Sequence, residues 1–440
     1  MPKSLTFEWV LEPHGLEPRR TLHLDAAGNI VAIETATTPE RDGYLALPGI
    51  ANAHSHAFQY ALRGIGERGQ LGSFWRWREG MYQLANSLTP DELHAIATAA
   101  FAEMLEAGYT AVGEFHYLHH LPDGSRSPAM AEALHWAARD TGLRLALLPV
   151  YYRCGGFGRA AEPAQRRFVH DNPGDFARTL ATCGPAAGVA AHSLRAVPAD
   201  EITDVIAIAD EMVGFECPLH IHVSEQPAEV RECVRHHGRP PVLLLDQSVG
   251  LGPRWQLVHA THAGLLERRR IAASGATVVL CPLTEGQLGD GWFAAGEFFA
   301  GGGHLAIGSD SNVRIDAFEE MRTLEFAQRA VRRERNVLSG PQGPGRTLWR
   351  ELAQSGARAL ATRGGEIAPG RVADLVVIPG SRILDGVPPD AAVDVLLLGA
   401  GRGEPIDVYV AGSRRVSGGR VLAHIDRAPL RRVYERIWSS

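Results

Sequence analysis

The strongest restriction on the fold is a regular alternation running from about residue 49 to residue 310. Apolar, strand-like runs cover 48–54, 109–117, 143–152, 188–195, 218–225, 255–262, 276–282 and 304–310, with helical patterns between them. Strands that alternate with helices build parallel sheets, because each return to the same edge needs a crossover. Eight of them favour a closed (β/α)8 barrel of the TIM type, an α/β fold, over an open doubly wound sheet. Thr89 and Pro90, with Glu92 completing a capping box, open the clearest helix, which ends at Gly108. A second helix is expected from Ser127–Pro128 to Gly142, and the Gly- and Trp-rich segment 57–88 reads as an insertion after the first strand.

The barrel is assigned to 48–365. Residues 1–47 and 366–440 hold short alternating stretches such as TLHLD, ADLVVI and DVYVAGSRRV, each too short to form a core alone. They are expected to pair into one small β-sandwich domain built from both chain ends, with a closing helix over 427–438.

Composition narrows the setting. The 440 residues carry a net charge of −6, which does not suggest a nucleic-acid or anionic-membrane partner. No apolar run approaches the roughly 18 to 20 residues of a membrane span, and MPKSLTFEWVLEPHG lacks a secretory pattern. Cys154, Cys183, Cys217, Cys233 and Cys281 form no Cys-x-x-Cys pair, as expected of reduced thiols in the cytoplasm. Lys3 is the only lysine, so chemistry that needs a lysine inside a site is disfavoured.

Four groups fall at the carboxyl ends of proposed strands, the face where such barrels place their chemistry. They are His54 with His56, His220 with His222 and Glu225, His259 with His262, and Asp310. His54 and His56, two residues apart, share a face of a regular strand. Three imidazoles and a carboxylate suit zinc or another first-row divalent ion, with one position left for water. The alternatives are histidines satisfied in the core or at the barrel rim, and an Asp310 that only caps the following helix. Their occurrence in the correct strand order argues for a functional metal site.

These residues also resemble a family. LPGIANAHSHAF (47–58), His222-x-x-Glu225, His259, GSDS (308–311) and GEIAPGRVADLVV (365–377) are similar to the amidohydrolase superfamily, in its mononuclear deaminase branch. The resemblance implies His54, His56, His222 and Asp310 as ligands of one divalent metal, Zn2+ or alternatively Fe2+, with Glu225 and His259 contacting the attacking water. The lysine count agrees, since binuclear members bridge their metals with a carboxylated lysine. FWRWRE (74–79) with Met81 and Tyr82, GEFHY (113–117), HSLR (192–195), HIHVSEQ (220–226) and VHATH (258–262) resemble the formimidoylglutamate deiminases. That narrower resemblance implies a small-molecule substrate, N-formimino-L-glutamate, in histidine degradation, and a homodimer. Pro282 and Asn312 depart from the family pattern beside strands seven and eight.

A substrate with two carboxylates and an amidine head needs cationic recognition at one end and activated water at the other. Arg195 and Arg78 can hold carboxylates in paired hydrogen bonds. Tyr117 can add a hydroxyl, Gln59 can contact the substrate near the metal, and His192 can orient the formimino group. Glu225 is expected to relay a proton, with His259 and Asp310 aligning the nucleophile. Two rival readings stand beside this one. A deaminase of purines, pterins or other heteroaromatic rings could use Phe74, Trp75 and Trp77 for stacking. A catalytically silent ligand-binding barrel would be expected to lack part of this set.

Overall fold

The computed structural model describes residues 3–38, 40–64, 74–380, 382–400 and 406–439. At the amino end, β1 (Lys3–Glu12), β2 (Gly15–Leu24) and β3 (Ile30–Thr35) form an antiparallel meander, and β4 (Gly43–Pro48) runs parallel to β1. Alternation decides which side is dry: Leu5, Phe7, Leu22, Leu24 and Ile30 are buried in one cluster.

The chain then enters eight parallel strands: β5 (Ile50–Ser55), β6 (Tyr109–His116), β7 (Arg144–Tyr151), β8 (Val189–Ser193), β9 (Leu219–Val223), β10 (Trp255–His259), β11 (Thr277–Leu280) and β12 (His304–Ile307). Their order in the sheet is their order in the chain. The Ser55–Asp310 bridge closes the ring, with the Asp310 amide donating to the His54 carbonyl at 3.0 Å and the His56 amide to the Asp310 carbonyl at 2.9 Å. The expected barrel is therefore present. One interior layer consists of Ala53, Val258, Val279 and Ala306 with Ala359, small and branched side chains that fill the narrow bore.

Several strands stop short of the sequence expectation. The runs reaching Glu225, His262 and Asp310 end as strands at Val223, His259 and Ile307. Left-handed backbone explains two of these stops, at Ser224 (φ 53°) and at His259 and Ala260 (68° and 49°). It recurs at Asp310 and Asn312 (42° and 56°). Non-glycine residues in that region carry strain and cluster where function needs a particular side-chain direction.

The helices follow their caps. Pro90–Glu106 starts on the Thr89 capping box, and Ala129–Thr141 ends at Gly142 in the left-handed conformation (φ 78°). The expected insertion is partly helical, with a 3-10 turn at Ala57–Leu62 and a helix at Phe74–Ser87; residues 65–73 lie outside the described residues.

After the barrel, β13 (Leu375–Ile378) pairs antiparallel with β4, and β14 (Asp407–Val410), β15 (Ser413–Ser417) and β16 (Arg420–Val421) extend the same sheet. Both chain ends thus build one mixed sheet, in the order β16-β15-β14-β13-β4-β1-β2-β3. The closing helix spans Ala428–Ser439. It docks on the helix Pro90–Glu106, where Arg436 reaches Glu92 at 2.9 Å, and Tyr434 donates to the Tyr60 carbonyl at 3.4 Å.

Candidate metal centre and active site

At the carboxyl mouth of the barrel, β5, β9 and β10 and the turn after β12 aim four histidines and a carboxylate at one point. One potential ligand atom each from His54, His56 and His222 lie within 4.8 Å of one another, and so do those of His54, His259 and Asp310. The His54 and His222 Nε2 atoms are 3.0 Å apart, and Asp310 Oδ1 is 3.5 Å from His54 Nε2 and 3.4 Å from His56 Nε2. Bonds of about 2.0 to 2.1 Å to a tetrahedral ion need ligand atoms roughly 3.3 Å apart. The spacing therefore fits a first-row divalent ion. The far ring atoms support it. His56 Nδ1 faces the Phe115 carbonyl at 3.1 Å and His222 Nδ1 the His192 carbonyl at 3.0 Å, so each ring donates there and turns an Nε2 lone pair to the centre. His220 takes a different part. It lies deeper in the bore, fully buried, with Nε2 against the Ala359 carbonyl at 2.9 Å, and stands apart from the candidate ligands as a core histidine.

Burial holds His54 down at about 3, and drives His56 and His222 below the ordinary imidazole value for the same reason. Neutral imidazoles are the form a metal requires. Asp310 goes the other way: burial would raise its carboxyl, but the surrounding histidines outweigh that and keep it ionised. His259 is the exception among the rings. Burial alone would depress it, yet Glu285 Oε1 at 3.2 Å from Nδ1, with Glu225 and Asp310 close by, pushes it up to about 10. Its Nε2 lies 3.9 Å from Glu225 Oε1 and 3.8 Å from Asp310 Oδ2, as a donor facing the reaction space.

One cavity of about 580 Å³, counting the space open to solvent at its mouth, is lined by nearly every residue singled out from the sequence. His56, His222, Glu225, His259 and Asp310 face its floor; Gln59, Arg78, Tyr117, His192 and Arg195 form the walls. His54 sits behind them, fully buried. Gln59 donates to the Tyr117 hydroxyl at 3.0 Å, which orients both. Arg78 comes from the helix Phe74–Ser87 and lies over the Tyr82 ring at 5.3 Å. Arg195 reaches Glu225 Oε2 at 3.4 Å and Glu229 Oε2 at 3.8 Å, so its guanidinium stands beside the candidate proton carrier. Trp77 lines the cavity, whereas the side chains of Phe74 and Trp75 lie outside the described residues.

Sequence reasoning missed the groups that hold these side chains in place. Glu229 accepts the amides of Ser224 and Glu225 at 3.0 and 3.1 Å, fixing the left-handed turn that swings Glu225 inward. Glu285 accepts the Cys281 amide at 3.0 Å while orienting His259. Glu114 accepts the Ala57 amide at 2.7 Å, just after His56, and burial pushes its carboxyl up to about 8. Tyr82, Tyr152 and Phe168 complete the aromatic wall. Pro282 occupies the first position of the helix carrying Glu285, where no amide donor is needed. Neither Pro282 nor Asn312 lines the cavity.

Comparison with known proteins agrees with this geometry. The amidohydrolase family profile matches residues 45–414. A formimidoylglutamate deiminase of Pseudomonas aeruginosa is 41% identical over 431 residues, 94% of each chain. An 8-oxoguanine deaminase of the same organism is 27% identical over 428 residues, covering 92% of this chain and 90% of its own. Among solved structures, an amidohydrolase from Brucella melitensis superposes with a TM-score of 0.90 at 39% identity, covering 99% of both chains.

Proposed function

The chain belongs to the amidohydrolase family, and on that premise we propose that it hydrolyses N-formimino-L-glutamate to N-formyl-L-glutamate and ammonia. The observation that carries the reading is one cavity holding two chemically opposite ends. His56, His222 and Asp310, with Glu225 and His259, face the floor in front of His54, and the wall carries two guanidinium groups, Arg78 and Arg195. A dicarboxylate with an amidine head matches that polarity, and the 41% identity to the formimidoylglutamate deiminase supports the same substrate. A flat heteroaromatic ring carries no carboxylates for the two arginines to pair with.

His54, His56, His222 and Asp310 would hold the ion, and a nitrogen-rich set with one carboxylate favours Zn2+. When bound, such an ion brings the pKa of a coordinated water toward about 7 and supplies a nucleophile at neutral pH. The protein supplies the rest. Arg195 and Arg78 grip the carboxylates, and Tyr117 and Gln59 fix the chain between them. Glu225 takes a proton from the attacking water and returns it to the departing nitrogen, as general base and then general acid. His259, kept cationic by Glu285, donates from Nε2 toward the nucleophile, and Asp310 accepts from it. His192 orients the formimino group. One water is consumed, the C=N bond becomes C=O, and ammonia leaves. The same proposal includes a homodimer and a cytoplasmic location.

Ammonia release by the purified protein is the test, with N-formimino-L-glutamate, N-formimino-L-aspartate, guanine and adenosine offered in parallel. N-formyl-L-glutamate as the product of the first supports the reading. Faster release from guanine or adenosine overturns it. Light scattering checks the dimer.

A further inference from the structure

The barrel's closing seam carries a buried polar chain that the reaction does not use. Asn52 on β5 accepts the Ser309 amide at Oδ1, 3.0 Å, and donates from Nδ2 to the Ser309 hydroxyl at 2.6 Å. That hydroxyl donates to Asn312 Oδ1 at 2.6 Å. Asn312 Nδ2 then returns to the first strand, donating to the Ser55 hydroxyl at 3.1 Å and the His56 carbonyl at 3.0 Å. Asn52, Ser55, Ser309 and Asn312 are all fully buried. The Asn312 carbonyl is held from outside by Arg63 Nε at 2.6 Å, whose guanidinium pairs with both oxygens of Glu103 at 2.8 and 3.0 Å.

From these contacts we infer that the Asn52–Ser309–Asn312 network is a positioning latch, fixing the ligand pair His54/His56 against Asp310 and so setting how tightly the divalent ion is held. The directionality is what makes asparagine fit. Position 312 must donate toward a carbonyl, which can only accept, and accept the one hydroxyl proton of a serine that itself accepts from Asn52. It must do so at φ 56°, a conformation asparagine tolerates better than most residues. An aspartate would keep the acceptor but set a carboxylate oxygen against the His56 carbonyl. The latch spans the seam beside two ligand-bearing segments, so a shift there changes the ligand spacing while leaving the cavity wall alone.

The inference rests on the metal reading of the site, and its test separates the two. Zn2+ affinity is measured by chelator competition for the wild type, Asn312→Gly, Asn312→Asp and Ser309→Ala, alongside the melting temperature of each metal-free protein. Glycine relieves the left-handed backbone while deleting the amide, so it isolates the side chain. Partners bonded directly to a ligating side chain are worth about 10- to 100-fold in metal affinity, and a latch acting through the His56 main chain is expected to reach the lower figure, about 10-fold. We expect that loss in Asn312→Gly and Ser309→Ala, larger than accounted for by the lowering of metal-free melting temperature that their unpaired buried partners cause. Asn312→Asp should lose at least as much. Affinities within twofold of wild type in the glycine and serine variants overturn the latch while leaving the metal centre intact. Affinity that falls only in step with metal-free stability also overturns it. A wild type that binds no Zn2+ removes both ideas.

Discussion

Glu225 and Arg195 show how much a single side chain's surroundings decide. Glu225 faces the floor of the cavity and is steered there by Glu229. Glu225→Gln should retain metal and lose about 10²- to 10⁴-fold in kcat, the range for a general acid–base group; near-normal turnover in a metal-loaded variant would remove it as proton carrier. Arg195→Ala and Arg78→Ala should each raise KM more than they lower kcat, because a carboxylate grip acts alike in ground and transition states. Steady-state kinetics on both variants checks this, and unchanged KM in both contradicts the clamp. His259 makes a claim about pH. Folded, it holds its proton to about 10, whereas an unperturbed imidazole releases at 6.5. The stabilisation is therefore complete below about 6.5 and fades as pH rises toward 10. In the metal-free protein, denaturant titrations between pH 6 and 10 should show this decline, and His259→Gln should lose that component. Equal slopes for the two proteins would contradict it. The sequence displayed the candidate ligands because the histidine pair His54/His56, the His220–Glu225 cluster and Asp310 all stand at strand ends. Glu285 was hidden because its partner lies 26 residues away, and a lone glutamate in a helix carries no signal of what it will face.

At the scale of elements, the strand count and the capped helices were legible in the alternation, and the strand ends were not. Ser224, His259 and Ala260 stop their strands through left-handed backbone, of which their strand-like sequence pattern gives no sign. His220 and His222 share one strand and one side, so only depth in the bore separates a core histidine from a ligand, and depth is a property of the closed barrel. The helix Phe74–Ser87, which brings Arg78 and Tyr82 over the cavity, is held by a fully buried Arg167. That guanidinium donates to the carbonyls of Ala85, of Leu88 at 2.9 Å and of His120 at 2.7 Å. Arg167→Met leaves those acceptors unpaired and should cost about 2 to 4 kcal/mol, measured by urea unfolding, with a raised KM as Arg78 loosens. A stability loss with unchanged KM would show that the helix keeps its place without this anchor.

For the whole molecule, the candidate metal centre and the closure of the barrel share one structure, since the Ser55–Asp310 bridge joins the first strand to the turn after the last. Ion binding should therefore stabilise the entire fold. At a free Zn2+ concentration a thousand times its dissociation constant the gain is about 4 kcal/mol, seen calorimetrically as a higher melting temperature that chelation reverses. No such shift would detach the ion from the fold. Chelation should also abolish turnover, and Zn2+ should restore it. The small sheet has a different consequence. Pro48 on β4 pairs with Leu375 on β13, so the outer edge of β4 waits for a partner more than three hundred residues downstream. At ribosomal speeds of about 5 to 20 residues per second, that edge stands open for tens of seconds in every nascent chain. The newborn polypeptide must shield it, or have it shielded by a chaperone, until its own tail arrives.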